Sequence, residues 1–276
     1  MPLNTLFKIT PAHLSGEELV GDNATEAQLK QWYAEEGDAY ANLTHAETAT
    51  PEERSTALNK RHFGHLFITQ KNLTGLVLGP ADATELRALK PYFNHWYAVE
   101  PAKIYQNPAL YPCPVTFIPT SHMGTFTGVP DNSVDVVLAL SVLHHIPNVS
   151  YVLSEAARVL KKGGHLILRE PTVTMGDWSS PRPGLTPNER GLPLPYLTAT
   201  LHGQGFTITQ NKPAVFAPWD KFCQKAFHLS YPYNRSWFTG VDALLSTLTA
   251  PLAHYNRPKL WQKFAPSATL LIAQKQ

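Results

Sequence analysis

Between residues 74 and 170 the chain alternates short, nearly unbroken apolar runs with helix-forming stretches. That rhythm restricts the fold more than any other feature. The runs are Gly75-Leu76-Val77-Leu78, Trp96–Val99, Val115–Ile118, Val134–Ala139 and His165–Leu168. Between them, Thr84–Tyr92 and Val149–Leu160 read as helices, the second closed by Lys161-Lys162-Gly163-Gly164 with basic residues in its last turn and glycine at its stop. Strands joined through helices run parallel, and strands apolar throughout are covered on both faces. The expectation is an α/β fold built on a parallel sheet.

The flanks differ in character. Residues 1–70 read as a polar helical segment. Ala24–Glu36 carries Leu29, Trp32 and Tyr33 at helical spacing, and Gly37-Asp38 is expected to break that helix. A further helix is expected to open at Pro51 with Thr50 as its cap. Beyond residue 170 come a polar loop, a short helix near Leu194–His202 and an alternating strand at Phe206–Thr209. The last strand is Ala268–Ala273. The fifty residues before it, 214–263, hold Trp219, Trp237 and Trp261 and a helix expected over Val241–Leu252. Closing strands are usually joined by a hairpin, so this aromatic insertion reads as the substrate-facing element.

Composition excludes several classes. Hydrophobic residues make up 43% of the 276 and charged residues 16%, which fits a folded globular chain. The net charge of +2 comes without a Lys/Arg block, so no nucleic-acid footprint is expected. No run of 18 apolar residues spans a membrane, and Met1–Thr10 lacks the pattern of a signal peptide. The two cysteines form no C-x-x-C, and the twelve histidines show no H-E-x-x-H, so no metal site is expected. A cytoplasmic protein with free thiols is the expectation.

The chemistry concentrates between Leu76 and Glu100. A strand ends at Gly79-Pro80, a helix follows, and the next strand ends in Glu100-Pro101, whose acid lies 21 positions after Gly79. A tight glycine turn lets a ligand approach the backbone, and a carboxylate at the second strand tip accepts both hydroxyls of a ribose. This much suits either a nicotinamide or an S-adenosylmethionine cofactor.

The second half separates the two. Val129-Pro130-Asp131-Asn132-Ser133-Val134-Asp135-Val136-Val137, then Ser141-Val142-Leu143-His144-His145-Ile146, then Glu155–Leu168 with its Leu160-Lys161-Lys162-Gly163-Gly164 core closely resemble class I S-adenosylmethionine-dependent methyltransferases of the small-molecule type. The resemblance covers about residues 74–170. It implies a Rossmann-like seven-stranded, mostly parallel sheet with an antiparallel closing strand. Residues 1–70 would be a helical lid and 71–276 the methyltransferase domain. It implies cofactor contacts from Gly79, Pro80, Ala81, Asp82, Glu100 and Pro101. Thr120, Ser121 or His122 would meet the adenine amine, and the Leu140-Ser141 backbone the methionine portion. Tyr40 resembles a lid residue of some relatives. Gly184–Pro193, with Met175–Trp178 upstream, resembles a subgroup that methylates sugars of surface glycans.

One departure matters. The family's first motif is acid-x-Gly-x-Gly-x-Gly, and here Val77 replaces the acid while Ala81 and Ala83 replace the second and third glycines. Where those positions need positive φ, alanine is strained; where they need only small size, it serves. Asp82 is then expected to take over contacts to the cofactor's amino-acid end. Methyl transfer to a hydroxyl needs in-line placement and a base. His144 and His145 past the fourth strand, and Glu170 at the end of the fifth, are the candidates. The expected partner is a small-molecule or glycan acceptor. The alternatives are a binding or regulatory protein on the same fold without turnover, and a nicotinamide oxidoreductase, which the sequence meets less well because it lacks a Tyr-x-x-x-Lys pair.

Overall fold

A computed structural model describes residues 6–46, 55–120, 124–180 and 182–276, with the side chains of residues 38 and 40–46 excepted. Its centre is one seven-stranded sheet: β1 (Leu73–Leu78), β2 (Phe93–Val99), β3 (Val115–Phe117), β4 (Val134–Leu140), β5 (Leu160–Pro171), β6 (Phe206–Ala214) and β7 (Ala268–Lys275). The order is β3-β2-β1-β4-β5-β7-β6. The first five strands pair in parallel, and β7 runs antiparallel between β5 and β6. The expected sheet, closing strand included, is the one observed.

Successive strand residues point to opposite faces, so an all-apolar strand feeds two cores. Leu76, Leu78, Val137 and Leu168 meet helix α4 (Val149–Val159) and helix α5 (Leu194–Gly203) through Val152, Leu153 and Leu197. Val77, Val136, Leu138 and Ile167 meet Phe63, Phe67, Leu86 and Trp96 on the other face. Gly75 makes room for that second core: a Cβ there would lie 2.2 Å from the Trp96 ring.

The remaining helices are α1 (Pro11–Ser15), α2 (Glu26–Ala46), α3 (Thr56–Phe63), α6 (Ala217–Phe227) and α7 (Ser236–Thr249). Four local expectations change. Helix α2 runs through Gly37-Asp38 to Ala46; one exposed glycine costs only about 1 kcal/mol, too little to break a helix of this length. Thr84–Tyr92 is not an α-helix but a 3₁₀ segment, Thr84–Leu89, because Pro91 cannot sit inside a helix. Lys161–Gly164 is the start of β5 rather than a helix end. Helix α7 begins five residues earlier than Val241 and stops at Thr249. The expected helix start at Thr50-Pro51 lies outside the described residues.

The chain leaves β1 toward β2 and β3, then returns to the other side of β1 as β4. In open parallel sheets the crevice above such a reversal, at the carboxyl ends of the strands, is where ligands bind.

Candidate functional site

A cleft occupies that crevice. The end of β1 supplies Leu78 and Gly79, the end of β2 supplies Val99, Glu100 and Pro101, and the loop after β3 supplies Pro119 and Thr120. Ser141, Val142, His145 and Ile146 follow β4. Tyr33, Glu36 and Gly37 reach in from α2, and Gly124–Phe126 close one side.

Glu100 is 1% exposed, yet its residue lines the cleft. One carboxylate oxygen accepts from the Ala81 N–H at 2.9 Å and the other from the Ala102 N–H at 2.8 Å. Each oxygen keeps lone-pair capacity for a further donor. Burial raises its pKa, and the two backbone bonds pull it back toward the ionised form. Its own carbonyl accepts from Gln106 Nε2 at 2.6 Å.

The β1 turn takes its shape from three left-handed residues, Gly79 (φ 52°), Ala81 (φ 48°) and Ala83 (φ 55°). Two of them are alanine, so the strain that the sequence left conditional is present. A Cβ on Gly79 would stand 2.6 Å from Val142 Cγ2, which makes this glycine necessary for space as well as for φ. Ser141 on the facing loop is also left-handed (φ 62°). Strained backbone gathers on both sides of the crevice, as it does at functional sites.

The loop after β4 is held by buried charge. Glu170 is fully buried; Oε1 accepts from the Val142 and Leu143 N–H groups, each at 2.9 Å, and Oε2 pairs with His144 Nδ1 at 2.8 Å. On the other side of that ring, Nε2 lies 3.5 Å from Glu189 Oε1. Burial alone would lower the His144 pKa, but the bonds to Glu170 and Glu189 overcome it and raise it to about 9. Glu189 moves the opposite way, to about 2: burial would raise it, and His144 and the charge of His145 outweigh that. The neighbouring Arg190, with no exposed surface, donates to the carbonyls of Val20, Leu143, His144, Ile146 and Pro147 and lies over the Trp32 ring at 5.1 Å.

His145 is different. It lines the cleft, its Nδ1 is 2.9 Å from Glu36 Oε2 and 3.1 Å from Thr186 Oγ1, and its carbonyl accepts from Trp32 Nε1. A carboxylate on Nδ1 fixes the tautomer that leaves Nε2 able to accept a proton. Glu36 is itself held, accepting from the Asn188 N–H at 2.9 Å.

The structure thus brings Gly79, Glu100, Pro101, Thr120, Ser141 and His145 together. Others fall elsewhere. His144 and Glu170 do not line the cleft, and both are consumed by one another and by backbone donors; the expectation that they act as bases gives way to a positioning role. Asp82 does not reach the cleft either: its Oδ1 accepts from the Thr84 N–H and starts the 3₁₀ segment. Pro80, Ala81 and Leu140 shape the turn and the core behind it rather than the cleft wall. Ser121, His122 and the Tyr40 side chain lie outside the described residues. Among the described residues, none of 214–263 lines the cleft. It leaves the sheet at the same edge, where Ala214 and Ala268 pair beside Pro171. Trp178 is buried and donates to the Thr174 carbonyl.

Sequence reasoning missed Tyr33, Glu36 and Glu189. The signal that could have found Glu189 is a Thr-x-x-Glu-Arg run inside an otherwise apolar, Pro- and Gly-rich stretch. Glu36 had no such signal, because it sits in a polar helix among other acids. His144, His145 and Glu189 also offer three metal-type ligand atoms within 4.8 Å of one another, though each is already engaged in the hydrogen bonds above.

Residues 76–168 match the family model described as "Methyltransferase domain". A 39-residue stretch is 56% identical to 27-O-demethylrifamycin SV methyltransferase of Amycolatopsis mediterranei (strain S699), a match covering 14% of each chain. The chain therefore aligns with a small part of that curated relative's length. Among solved structures, the [4+2]-cyclase SpnF is 16% identical with a TM-score of 0.55, over 91% of this chain and 97% of its own. An S-adenosylmethionine-dependent methyltransferase from Mesorhizobium loti is 13% identical with a TM-score of 0.52, over 81% and 100%. At these identities the two structures establish the shared fold. Residues 76–168, the stretch from β1 into β5, thus resemble a methyltransferase domain.

Proposed function

We propose that this chain is a class I methyltransferase that binds S-adenosylmethionine in the cleft and transfers its methyl group to a hydroxyl of a small molecule or glycan precursor. The observation that carries the cofactor reading is Glu100: a buried carboxylate at the tip of β2, on a residue that lines the cleft beside a β1 turn too tight for a Cβ at Gly79. A ribose diol fits its remaining lone pairs. The residues present fit the cofactor despite Ala81 and Ala83, because the turn keeps its left-handed shape with alanine in it.

When bound, the cofactor supplies an electrophilic methyl group on a sulfonium. The chain's part is to position, to exclude water and to take a proton. Leu78, Val99, Phe126 and Val152 give the cleft apolar walls. Thr120, on the loop after β3, would meet the adenine end. His145, oriented by Glu36, would accept the acceptor hydroxyl's proton at Nε2. Helix α2, in the 1–70 segment, serves as the lid, since Tyr33, Glu36 and Gly37 cover the crevice. Support for an oxygen acceptor comes from this dyad and from the O-demethylated substrate for which the Amycolatopsis protein is named.

Calorimetric titration with S-adenosylmethionine and S-adenosylhomocysteine tests the reading, with Glu100→Gln as control. Micromolar binding weakened at least about tenfold in the variant is expected, the loss of about one charge-assisted hydrogen bond. Absence of binding up to millimolar concentrations would overturn it. A second reading has one observation behind it. The fold also houses a chain described as a [4+2]-cyclase. Cofactor binding without methylation of any hydroxylated acceptor would favour that kind of role.

A further inference from the structure

Helix α7 is built inside out. Its buried side carries Phe238 but also Thr239, Asp242 and Ser246. Asp242 is bonded to the Val215 and Phe216 N–H groups. Its outward side carries Trp237, Leu244 and Leu248, exposed by 50%, 59% and 68%. These three are spaced i, i+7, i+11, so they form one straight stripe along the helix. An amphipathic helix in water normally turns such a stripe inward.

The stripe is continued by α6. Trp219 packs against Trp237 at 6.2 Å and against Phe222 at 5.8 Å, and Phe222 against Phe227 at 5.9 Å. Phe222 and Phe227 are each more than half exposed. Eight of the thirteen large exposed apolar side chains among the described residues fall in 214–263, less than a fifth of the chain. Five of them, Phe222, Phe227, Trp237, Leu244 and Leu248, belong to the α6–α7 surface, and exposed apolar surface so gathered marks one that is covered in use.

Charge selects what covers it. The segment 214–263 contains Lys221, Lys225, Arg235, Arg257, Lys259 and Lys263 against two acids, one of them the buried and bonded Asp242. It is therefore +4 in a chain of net +2, and the rest of the protein is −2. A second copy of this face would bring like charge onto like charge. An anionic surface with an apolar interior satisfies both halves of the patch: aromatic rings and leucines enter the headgroup region while lysines stay at the phosphates.

We propose that the 214–263 insertion docks this protein onto anionic lipid bilayers through the outward stripe of α7 and the aromatic end of α6. The docking is peripheral. Among the described residues no helix is long and apolar enough to cross a membrane. The insertion leaves the sheet at the carboxyl edge, the edge that carries the cleft. The inference stands apart from the methyl-transfer reading, since it uses none of the cleft residues.

Vesicle co-sedimentation of the full chain tests it. The probes are phosphatidylcholine vesicles and phosphatidylcholine–phosphatidylglycerol vesicles at low and high salt. The variants are Leu244→Ser/Leu248→Ser and Lys221→Glu/Lys225→Glu, each checked for an unchanged melting temperature so that lost binding is not lost fold. Partition onto the anionic vesicles is expected to exceed that onto the neutral ones, to fall with salt, and to drop more than about tenfold in the charge-reversed variant, at about fivefold per cation removed. The leucine variant is expected to lose binding to a similar degree. Equal partition onto both vesicle types, or partition that survives either variant, would overturn the proposal. So would no partition accompanied by a concentration-dependent dimer that Leu244→Ser/Leu248→Ser abolishes, which would make the face a protein interface.

Discussion

Replacing Ala81 and Ala83 by glycine, one at a time, separates backbone strain from packing. Both alanines are left-handed. That conformation costs an L-residue about 1–2 kcal/mol, and glycine removes the cost. Glycine also returns about 0.4–1 kcal/mol of entropy to the unfolded chain. Ala81 is only partly buried and belongs to neither core, so Ala81→Gly is expected to stabilise by about 0.5 kcal/mol. Ala83 has no exposed surface and packs in the core with Leu86 and Trp96, so its methyl carries a further 0.8 kcal/mol or so. Ala83→Gly is therefore expected to be neutral to slightly destabilising. Urea titration reads the difference directly, and a melting shift of about 1–2 °C for Ala81→Gly accompanies it. Since neither methyl lines the cleft, affinity for S-adenosylmethionine is expected to stay within about threefold. Two equal losses of stability would refute the strain argument. A tenfold gain in affinity would show instead that the methyls obstruct the cofactor.

His145→Gln and Glu36→Gln are each expected to lower kcat by about 10²–10⁴ with cofactor affinity little changed, measured by methyl transfer and calorimetry on the same samples. The His144 pair makes stability depend on pH. Its folded pKa, near 9, lies above the ordinary 6.5, so the stabilisation is complete below about pH 6.5 and disappears as pH rises through 9. The urea midpoint of wild type is expected to fall across that window, and that of His144→Gln to stay flat there. Glu189, near 2, contributes above its ordinary 4.5 and loses that contribution as pH falls through 2. Gly75→Ala drives a methyl into the Trp96 ring and is expected to cost about 1–3 kcal/mol, read by melting, with cofactor affinity of the surviving fold unchanged.

The sheet was legible because strand identity is local. Leu76–Leu78, Val134–Ala139 and His165–Leu168 announce themselves by unbroken apolarity, and Gly79 and Glu100 by their spacing on two such strands. The catalytic assignments were less legible, because which of two adjacent histidines faces a cleft depends on what lies behind them. His144 turns toward Glu170 and Glu189, His145 toward Glu36, and those carboxylates lie 26 to 109 positions away. Asp82 illustrates the opposite error. A polar residue beside a ligand loop reads as a contact, yet a two-residue bond to the Thr84 N–H costs less entropy than any longer reach and takes it first. Helix α7 was found but not its orientation, since the same residues suit either face until the position of Asp242 is known.

The bonds that roof the crevice join the most distant parts of the chain. Glu36 reaches His145 across 109 positions and Asn188 across 152, and Arg190 reaches Val20 across 170. Closing loops of that size costs more chain entropy than pairing β1 with β2, so these contacts gain nothing until the sheet has condensed. Helix α2 is synthesised before the residues it clasps, yet on this argument it is among the last elements to settle. With Trp32 of α2 replaced by Phe, refolding followed by the fluorescence of the remaining core tryptophans, Trp96 among them, would then reach its plateau before ligand-binding competence returns.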